Sequence, residues 1–204
     1  MKSSIALILR IFICLALVAG AYIWATSLMD SIYAYRSPLK DQPPKSGSPI
    51  LSEGIEPATR RVVFVLIDGL RLDTALDAQV MPNLDLLRLQ GAWARMHSRP
   101  PSFSAPSYSV LFTGAWPDLS DGPALNPEGE NVPTWTQDNL FSAAHRAGLK
   151  TAISGYIWFG GLVPQEAVDT SFYTPGADQQ ADLEVMAAAL PWLRSSSYQL
   201  VLIH

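Results

Sequence analysis

The first apolar stretch of the chain is long and uncharged. Residues 11–29 contain no charged side chain, whereas Lys2 and Arg10 precede them. A helix over this stretch is roughly 28 Å long, close to the thickness of the hydrocarbon core of a bilayer. Basic residues before a membrane span favour a cytoplasmic N-terminus. We therefore expect residues 1–36 to form a single-pass anchor in the cell membrane that crosses the lipid bilayer through residues 11–29, with the rest of the chain outside the cytoplasm.

A cleaved signal sequence is the alternative interpretation of the same stretch. Small residues at positions 19–21 resemble a cleavage site. The apolar run is long for a signal sequence, however, and it is accompanied by aromatic residues that suit a membrane interface. These aromatic residues are Tyr22, Trp24, Tyr33 and Tyr35. We favour an uncleaved anchor, and cleavage stays open.

The remaining chain divides into a linker and a folded domain. Residues 37–60 are rich in proline and serine, which predicts a linker. From residue 61 onward, strand-like and helix-like patterns alternate. Residues 62–67 form a continuous apolar run, typical of a strand covered on both faces. The further predictions are strands over 151–154 and 198–203, and helices over 81–91, 138–147 and 181–193.

This alternation predicts an α/β domain with a doubly wound, mostly parallel sheet and flanking helices. The chain stops at His204 directly after an apolar strand. A parallel sheet needs a crossover before its next strand. We therefore expect residues 61–204 to be the N-terminal part of a longer domain that is incomplete at its C-terminus.

Composition narrows the classes of function. The formal net charge is −4, which gives no basic surface for nucleic acid. The single cysteine, Cys14, lies in the apolar segment, so a disulfide framework is excluded.

Asp68 is the first residue with candidate chemistry. It follows the predicted strand over 62–67 directly and precedes Gly69. In parallel sheets ligands bind beyond the carboxyl ends of the strands, and a carboxylate there is costly to bury unless it is paired or binds a cation. The alternative is an ordinary Asp-Gly turn.

Ser104 is the second candidate, and it precedes Ala105 and Pro106. Proline suits the first position of a helix, which would place the Ser104 hydroxyl beside the unpaired amides of a helix N-terminus, where a phosphate is held. A serine hydroxyl is a poor nucleophile until a base or a metal ion lowers its pKa, and Asp68 could hold that metal. The alternative is that Ser102, Ser104 and Ser107 are capping and loop serines.

Four segments together resemble the alkaline phosphatase superfamily, specifically its type I phosphodiesterase/nucleotide pyrophosphatase branch. They are Val65-Leu-Ile-Asp-Gly-Leu-Arg71, Met81-Pro-Asn-Leu84 with Gly91-Ala92, Pro101-Ser-Phe-Ser-Ala-Pro106, and Thr113-Gly-Ala-Trp-Pro117. The resemblance implies a hydrolase with two divalent metal ions, expected to be Zn²⁺, and a covalent intermediate. It implies that Asp68 is a metal ligand and that Ser104 is the nucleophile bridging to the metal. It also implies that Asn126 binds a phosphate oxygen, if one residue is inserted around positions 119–121.

The sequence departs from the family pattern in two places. Ser107 stands where asparagine is common, and Ser120-Asp121-Gly122 stands where Ser-His-Gly is usual. These departures concern substrate identity more than chemistry. Sulfate esters are disfavoured because the segment after Ser104 lacks the arginine of the sulfatase motif.

The remaining metal ligands of the family would follow the strand over 198–203. We do not expect His97, His145 or His204 to replace them, so this chain would hold at most half of a bimetal site and be inactive alone.

Three functions are consistent with the sequence. The first is a membrane-anchored, extracytoplasmic, metal-dependent phosphodiesterase or phosphatase that hydrolyses phosphate esters through a phosphoserine. The second is a phosphoethanolamine-type transferase acting on a lipid or glycan, which shares the N-terminal anchor. The third is a non-catalytic α/β binding domain. Trp158 and Phe159 are candidates for lining a substrate pocket, with core packing as the alternative.

Overall fold

The computed structural model describes residues 2–35, 37, 59–128 and 132–204. Residues 1–36 and 37–204 form two compact units. Most of the predicted linker over 37–60 lies outside the described residues.

The first unit is a single long helix, α1, over Lys2–Tyr33. Its segment Ile5–Tyr33 is long and apolar enough to cross a membrane, and none of that segment is buried within the protein. Length and composition fit a membrane anchor and a signal sequence equally, since both are apolar helices near an N-terminus.

The second unit contains a four-stranded parallel sheet within the described residues. In chain order the elements are β1 Val62–Val65, α2 Leu72–Leu76, α3 Pro82–Gln90, α4 Ser104–Thr113, α5 Leu140–Arg146, β2 Thr151–Tyr156, α6 Trp158–Leu162, a 3₁₀ turn Gln165–Ala167, β3 Thr170–Thr174, α7 Gln179–Arg194 and β4 Leu200–Ile203. The strand order is β1-β4-β2-β3.

Helices cover both faces of this sheet. Alternate residues of β4 point to opposite faces, so Leu200 and Leu202 pack with α4 and α5 through Phe112 and Phe141. Val201 and Ile203 pack on the other face with Val185 and Ala189 of α7. The predicted α/β fold with a parallel sheet between helices is therefore confirmed.

The burial predicted for the first strand is wrong. Val62, Val63 and Val65 of β1 are 47, 41 and 59 % exposed within the described residues. These valines are exposed because β1 is an edge strand of the described sheet and has only β4 as a neighbour there. Phe64 and Leu66 still pack against the core. The backbone N–H of Leu66 also donates to the carbonyl of Ile203 at 2.9 Å, which holds the chain in register up to the Asp68 turn.

Arg61 fixes the start of β1 to the end of α7. Its guanidinium donates to the carbonyl oxygens of Tyr198 at 3.0 Å, of Leu193 at 2.8 Å, and of Ser195. The last carbonyls of a helix have no intrahelical partner and lie at the negative end of the helix dipole. A cation there supplies both hydrogen bonds and charge complementarity.

We predict that Arg61→Ala lowers the free energy of unfolding of this domain by about 1–3 kcal/mol, because three carbonyl groups lose a charged donor. Chemical denaturation followed by circular dichroism measures the change. Arg60→Ala removes the same charge from the exposed neighbouring position and should change stability by less than about 0.5 kcal/mol. Equal effects of the two substitutions would show that charge alone, and not the Arg61 contacts, stabilises this junction.

Candidate active site

The candidate site lies where the carboxyl ends of β1, β4 and β2 meet. The register pairs Val65 with Ile203 and Ile203 with Ser154, so the residues just beyond these strands converge at one sheet edge. Asp68 follows β1, His204 follows β4, and Tyr156 ends β2. This is the edge at which parallel α/β sheets bind ligands.

Asp68 accepts three hydrogen bonds. Its Oδ2 accepts from Ser104 Oγ and from Tyr108 Oη, both at 2.8 Å. Its Oδ1 accepts from the Gly69 backbone N–H at 2.9 Å, and Gly69 has a positive φ of 65° that favours glycine in this turn.

Several effects set the pKa of Asp68. Partial burial raises it, but the hydrogen bonds that Ser104, Tyr108 and Gly69 donate to the carboxylate lower it, and the pKa lies below its usual value. The carboxylate is therefore ionised at neutral pH, and in this form both of its oxygens only accept hydrogen bonds.

Helix α4 begins at Ser104, which differs slightly from the sequence prediction. Phe103 is the N-cap with an extended backbone, so Ser104 and not Pro106 takes the first helical position. Pro106 occupies the third position, where its missing N–H is equally harmless because the first four amides of a helix have no intrahelical acceptor. The buried side chains of Ala105 and Pro106 fix this helix end. The half-buried Ser104 hydroxyl then faces Asp68.

Asn126 lies beside the same helix end. Its Oδ1 accepts a hydrogen bond from the Ala105 backbone N–H at 3.0 Å. Asp68, Ser104 and Asn126 are thus brought together around the N-terminus of α4, as the family resemblance implies. Their roles as metal ligand, nucleophile and phosphate-binding residue stay predictions.

Tyr108 and His204 are members of the site that sequence reasoning missed. Tyr108 Oη lies 2.8 Å from Asp68 Oδ2 and 2.8 Å from His204 Nε2. A signal for Tyr108 existed, because it follows Ser104 by four residues and so lies on the same face of α4. For His204 no local signal exists, since its neighbours come from β2 and α4.

Phe159 fits the core-packing alternative and not the pocket role. Phe159 is fully buried, stacks on Tyr108 with ring centroids 5.0 Å apart, and meets His204 edge-on at 5.1 Å. Phe159 is therefore a core residue that packs against the rings of both Tyr108 and His204. Trp158 is partly buried and packs edge-to-face on Tyr156 at 5.0 Å, so its pocket role stays a prediction.

The departure at Ser120-Asp121-Gly122 has a structural explanation. Asp121 is buried, and its Oδ2 accepts hydrogen bonds from the Thr136 N–H, from Thr136 Oγ1 at 2.8 Å and from the Gln137 N–H at 2.7 Å. A Cβ on Gly122 would lie 1.9 Å from Ser109 Oγ, so a larger residue cannot fit without displacing α4. The hydrogen bonds of Asp121 therefore hold the segment over 120–122 against the segment that contains Thr136 and Gln137.

The other histidines lie at exposed positions. His97 is in the coil before α4, and His145 is on α5. Within the described ranges there is no group of three or more His, Cys, Asp or Glu side chains that could hold a metal ion. The carboxylate of Asp68 and the hydroxyl oxygen of Ser104 lie close together. Oxygen atoms in this arrangement fit as two of the ligands of a divalent metal ion. A zinc site normally takes three or four protein ligands, so these two residues alone would not complete one.

A comparison with protein families identifies the family of the chain. A family model described as type I phosphodiesterase / nucleotide pyrophosphatase matches residues 62–197. The chain belongs to this family, which is part of the alkaline phosphatase superfamily, and the predicted resemblance is confirmed. The family consists of phosphoester hydrolases that are generally metal-dependent. No curated protein compared with the chain matches it.

We predict that Asp121→Ala destabilises the domain by about 2–4 kcal/mol, because the buried donors of Thr136 and Gln137 lose their acceptor. In the full-length protein, the rate of phosphodiester hydrolysis per folded molecule should stay close to that of the parent, since Asp121 acts on loop packing. Urea denaturation and an assay corrected for the folded fraction measure the two effects. Asp118→Ala, at an exposed position three residues earlier, is the charge-matched control. A loss of hydrolysis at unchanged stability would instead place Asp121 in the reaction.

Proposed function

We propose that this protein is a membrane-anchored phosphodiesterase or phosphatase that hydrolyses phosphate esters outside the cytoplasm through a phosphoserine on Ser104. The observation that carries the proposal is the 2.8 Å hydrogen bond from Ser104 Oγ to Asp68 Oδ2 at the N-terminus of α4. It joins a hydroxyl, an ionised carboxylate and a helix N-terminus in one place.

The first chemical step is attack by Ser104 Oγ on phosphorus. A new bond forms between Oγ and phosphorus, and the bond from phosphorus to the leaving ester oxygen breaks. The Ser104 hydroxyl loses its proton, and the leaving oxygen gains one to depart as an alcohol. Water then attacks the phosphoserine, which releases phosphate or a phosphate monoester and restores the hydroxyl. Splitting the reaction in this way replaces one difficult step by two easier ones.

The substrate phosphate would lie against the N-terminus of α4. Unpaired amides and the positive end of the helix dipole favour an anion there. Asn126 uses its Oδ1 to accept from Ala105, so its amide NH₂ is the group that would donate to a phosphate oxygen. Asn126 thereby orients the phosphate for attack by the adjacent Ser104.

Asp68 and Ser104 Oγ would hold one divalent metal ion, proposed to be zinc. Such an ion lowers the pKa of a bound hydroxyl and stabilises negative charge on a phosphoryl group. A two-metal site needs ligands on both sides of the phosphate, and the two residues provide only one of these sides.

The placement outside the cytoplasm is supported by α1. Lys2 and Arg10 precede the uncharged run over 11–29, and basic residues favour the cytoplasmic side of a span. The anchor would therefore keep the domain at the outer surface of the cell membrane.

We predict that Ser104→Ala in the full-length protein reduces hydrolysis of bis(p-nitrophenyl) phosphate to the background rate while zinc stays bound. The reason is that the nucleophile is lost and the carboxylate ligand is kept. Ser102→Ala, two residues earlier in the exposed loop, should stay within about threefold of the parent rate. A Ser104→Ala rate within about threefold of the parent would contradict the proposed nucleophile. Parallel incubation with a lipid acceptor separates hydrolysis from phosphoethanolamine-type transfer.

We predict that Asp68→Asn weakens zinc binding by at least about tenfold, because a neutral amide replaces an ionised ligand of nearly the same shape. Equilibrium competition with a zinc chelator measures the dissociation constant. Asp73→Asn removes a charge at an exposed position of the following helix, where Asp73 pairs with Arg71, and should leave zinc binding unchanged. Equal dissociation constants for Asp68→Asn and the parent would exclude Asp68 as a ligand.

A further inference from the structure

A chain of hydrogen bonds runs from β2 to the candidate nucleophile. The Tyr156 backbone N–H points to His204 Nδ1 at 3.4 Å, and His204 Nε2 lies 2.8 Å from Tyr108 Oη. Tyr108 Oη lies 2.8 Å from Asp68 Oδ2, which also accepts from Ser104. Three segments of the chain, namely β2, the end of β4 and α4, are thus connected through hydrogen bonds to one carboxylate oxygen of Asp68.

In each of these hydrogen bonds, only one of the two partners can be the donor. Ionised Asp68 only accepts, so the single hydroxyl proton of Tyr108 is committed to it. Tyr108 Oη must then accept from His204, which places a proton on Nε2. The other ring nitrogen, Nδ1, is left with a lone pair that faces the Tyr156 N–H, a group that only donates. The arrangement therefore specifies one tautomer of a neutral His204.

Burial keeps both rings in place. Tyr108 is 3 % exposed, stacks on Phe159, and meets the edge of His204 with centroids 5.0 Å apart. Gly155 makes room for the histidine, because a Cβ at that position would lie 2.9 Å from the Cβ of His204. Burial and the neighbouring carboxylate raise the pKa of Tyr108 above its usual value, so the phenol keeps the proton that it donates.

We propose that Tyr108 and His204 are positioning residues that fix the Asp68 carboxylate opposite Ser104, with Tyr108 acting directly on Asp68 and His204 acting through Tyr108. The inference rests on the proposed function, because it assigns these two residues to the support of its metal ligand and nucleophile. Ser104 and Tyr108 share the same oxygen of Asp68. When the Ser104 hydroxyl turns toward a phosphate, the Tyr108 hydrogen bond still holds the carboxylate in its rotamer.

Tyr108→Phe tests the first half of the proposal, because it keeps the buried ring and removes only the hydroxyl. Hydrogen-bonded supports of metal ligands typically contribute about 10–100-fold to metal affinity or activity. In the full-length protein, we expect the zinc dissociation constant, measured by chelator competition, to rise by about 10–100-fold and kcat to fall by a similar factor, with KM within about threefold. Tyr198→Phe is the matched control, since this half-buried tyrosine lies at the opposite end of β4.

His204→Gln and His204→Leu test the second half. Glutamine keeps an N–H donor near the position of Nε2, whereas leucine keeps bulk without a donor. We expect His204→Gln to stay within about threefold of the parent in zinc affinity and kcat, and His204→Leu to resemble Tyr108→Phe. The double variant Tyr108→Phe/His204→Leu should be no worse than Tyr108→Phe alone, because both changes break the same connection.

The outcomes separate this proposal from the proposed function. Parent-like zinc affinity or parent-like kcat in Tyr108→Phe would overturn the positioning role, while an inactive Ser104→Ala measured alongside would leave the proposed nucleophile intact. An active Ser104→Ala would overturn the proposed function itself. If Tyr108→Phe fails to fold, the two His204 variants test the proposal. Equal losses of zinc affinity and kcat in His204→Gln and His204→Leu would overturn the role of the Nε2 donor.

Discussion

The hydrogen bond between the Ser104 hydroxyl and the Asp68 carboxylate is the interaction on which the candidate site depends. It joins residues 36 positions apart in the chain, and two features of the fold bring them together. Parallel pairing of β1 with β4 sets the turn that carries Asp68. The buried face of α4 sets the helix end that carries Ser104. A shift of one residue in the register of β1 or in the start of α4 would separate the hydroxyl from the carboxylate. The reason is that such a shift turns the side chains of either element to other faces.

Aromatic packing beneath the site gives this polar contact its rigidity. Phe159 lies fully buried under Tyr108 and His204, and Phe112 connects the same cluster to Trp135. Close packing of these aromatic rings restricts the orientations of Tyr108 and His204. The polar groups of Asp68, Tyr108 and His204 form hydrogen bonds with one another beside these rings. The candidate site is thus a set of hydrogen-bonded side chains packed against the hydrophobic core.

Sequence patterns predicted the helices with a periodic apolar face and the strands with a continuous apolar run, and missed a strand that has neither pattern. Helices α3 and α7 and the apolar strands β1 and β4 were all predicted to within a few residues of their observed bounds. Strand β3 was missed because Thr170–Thr174 is short, mixed in polarity and only partly buried. Asp68 and Ser104 were found because strand ends and helix starts are recognisable locally. The contact of Tyr108 with His204 was missed because it exists only after β4 has paired with β2.

The most direct test of this account is anomalous scattering at the zinc edge from crystals of the full-length protein grown with zinc. The account predicts a peak within coordination distance, about 2.0–2.2 Å, of an Asp68 carboxylate oxygen, with Ser104 Oγ facing the same ion. Zinc bound elsewhere, with the Asp68 carboxylate still occupied only by hydrogen bonds from Ser104 and Tyr108, would contradict it.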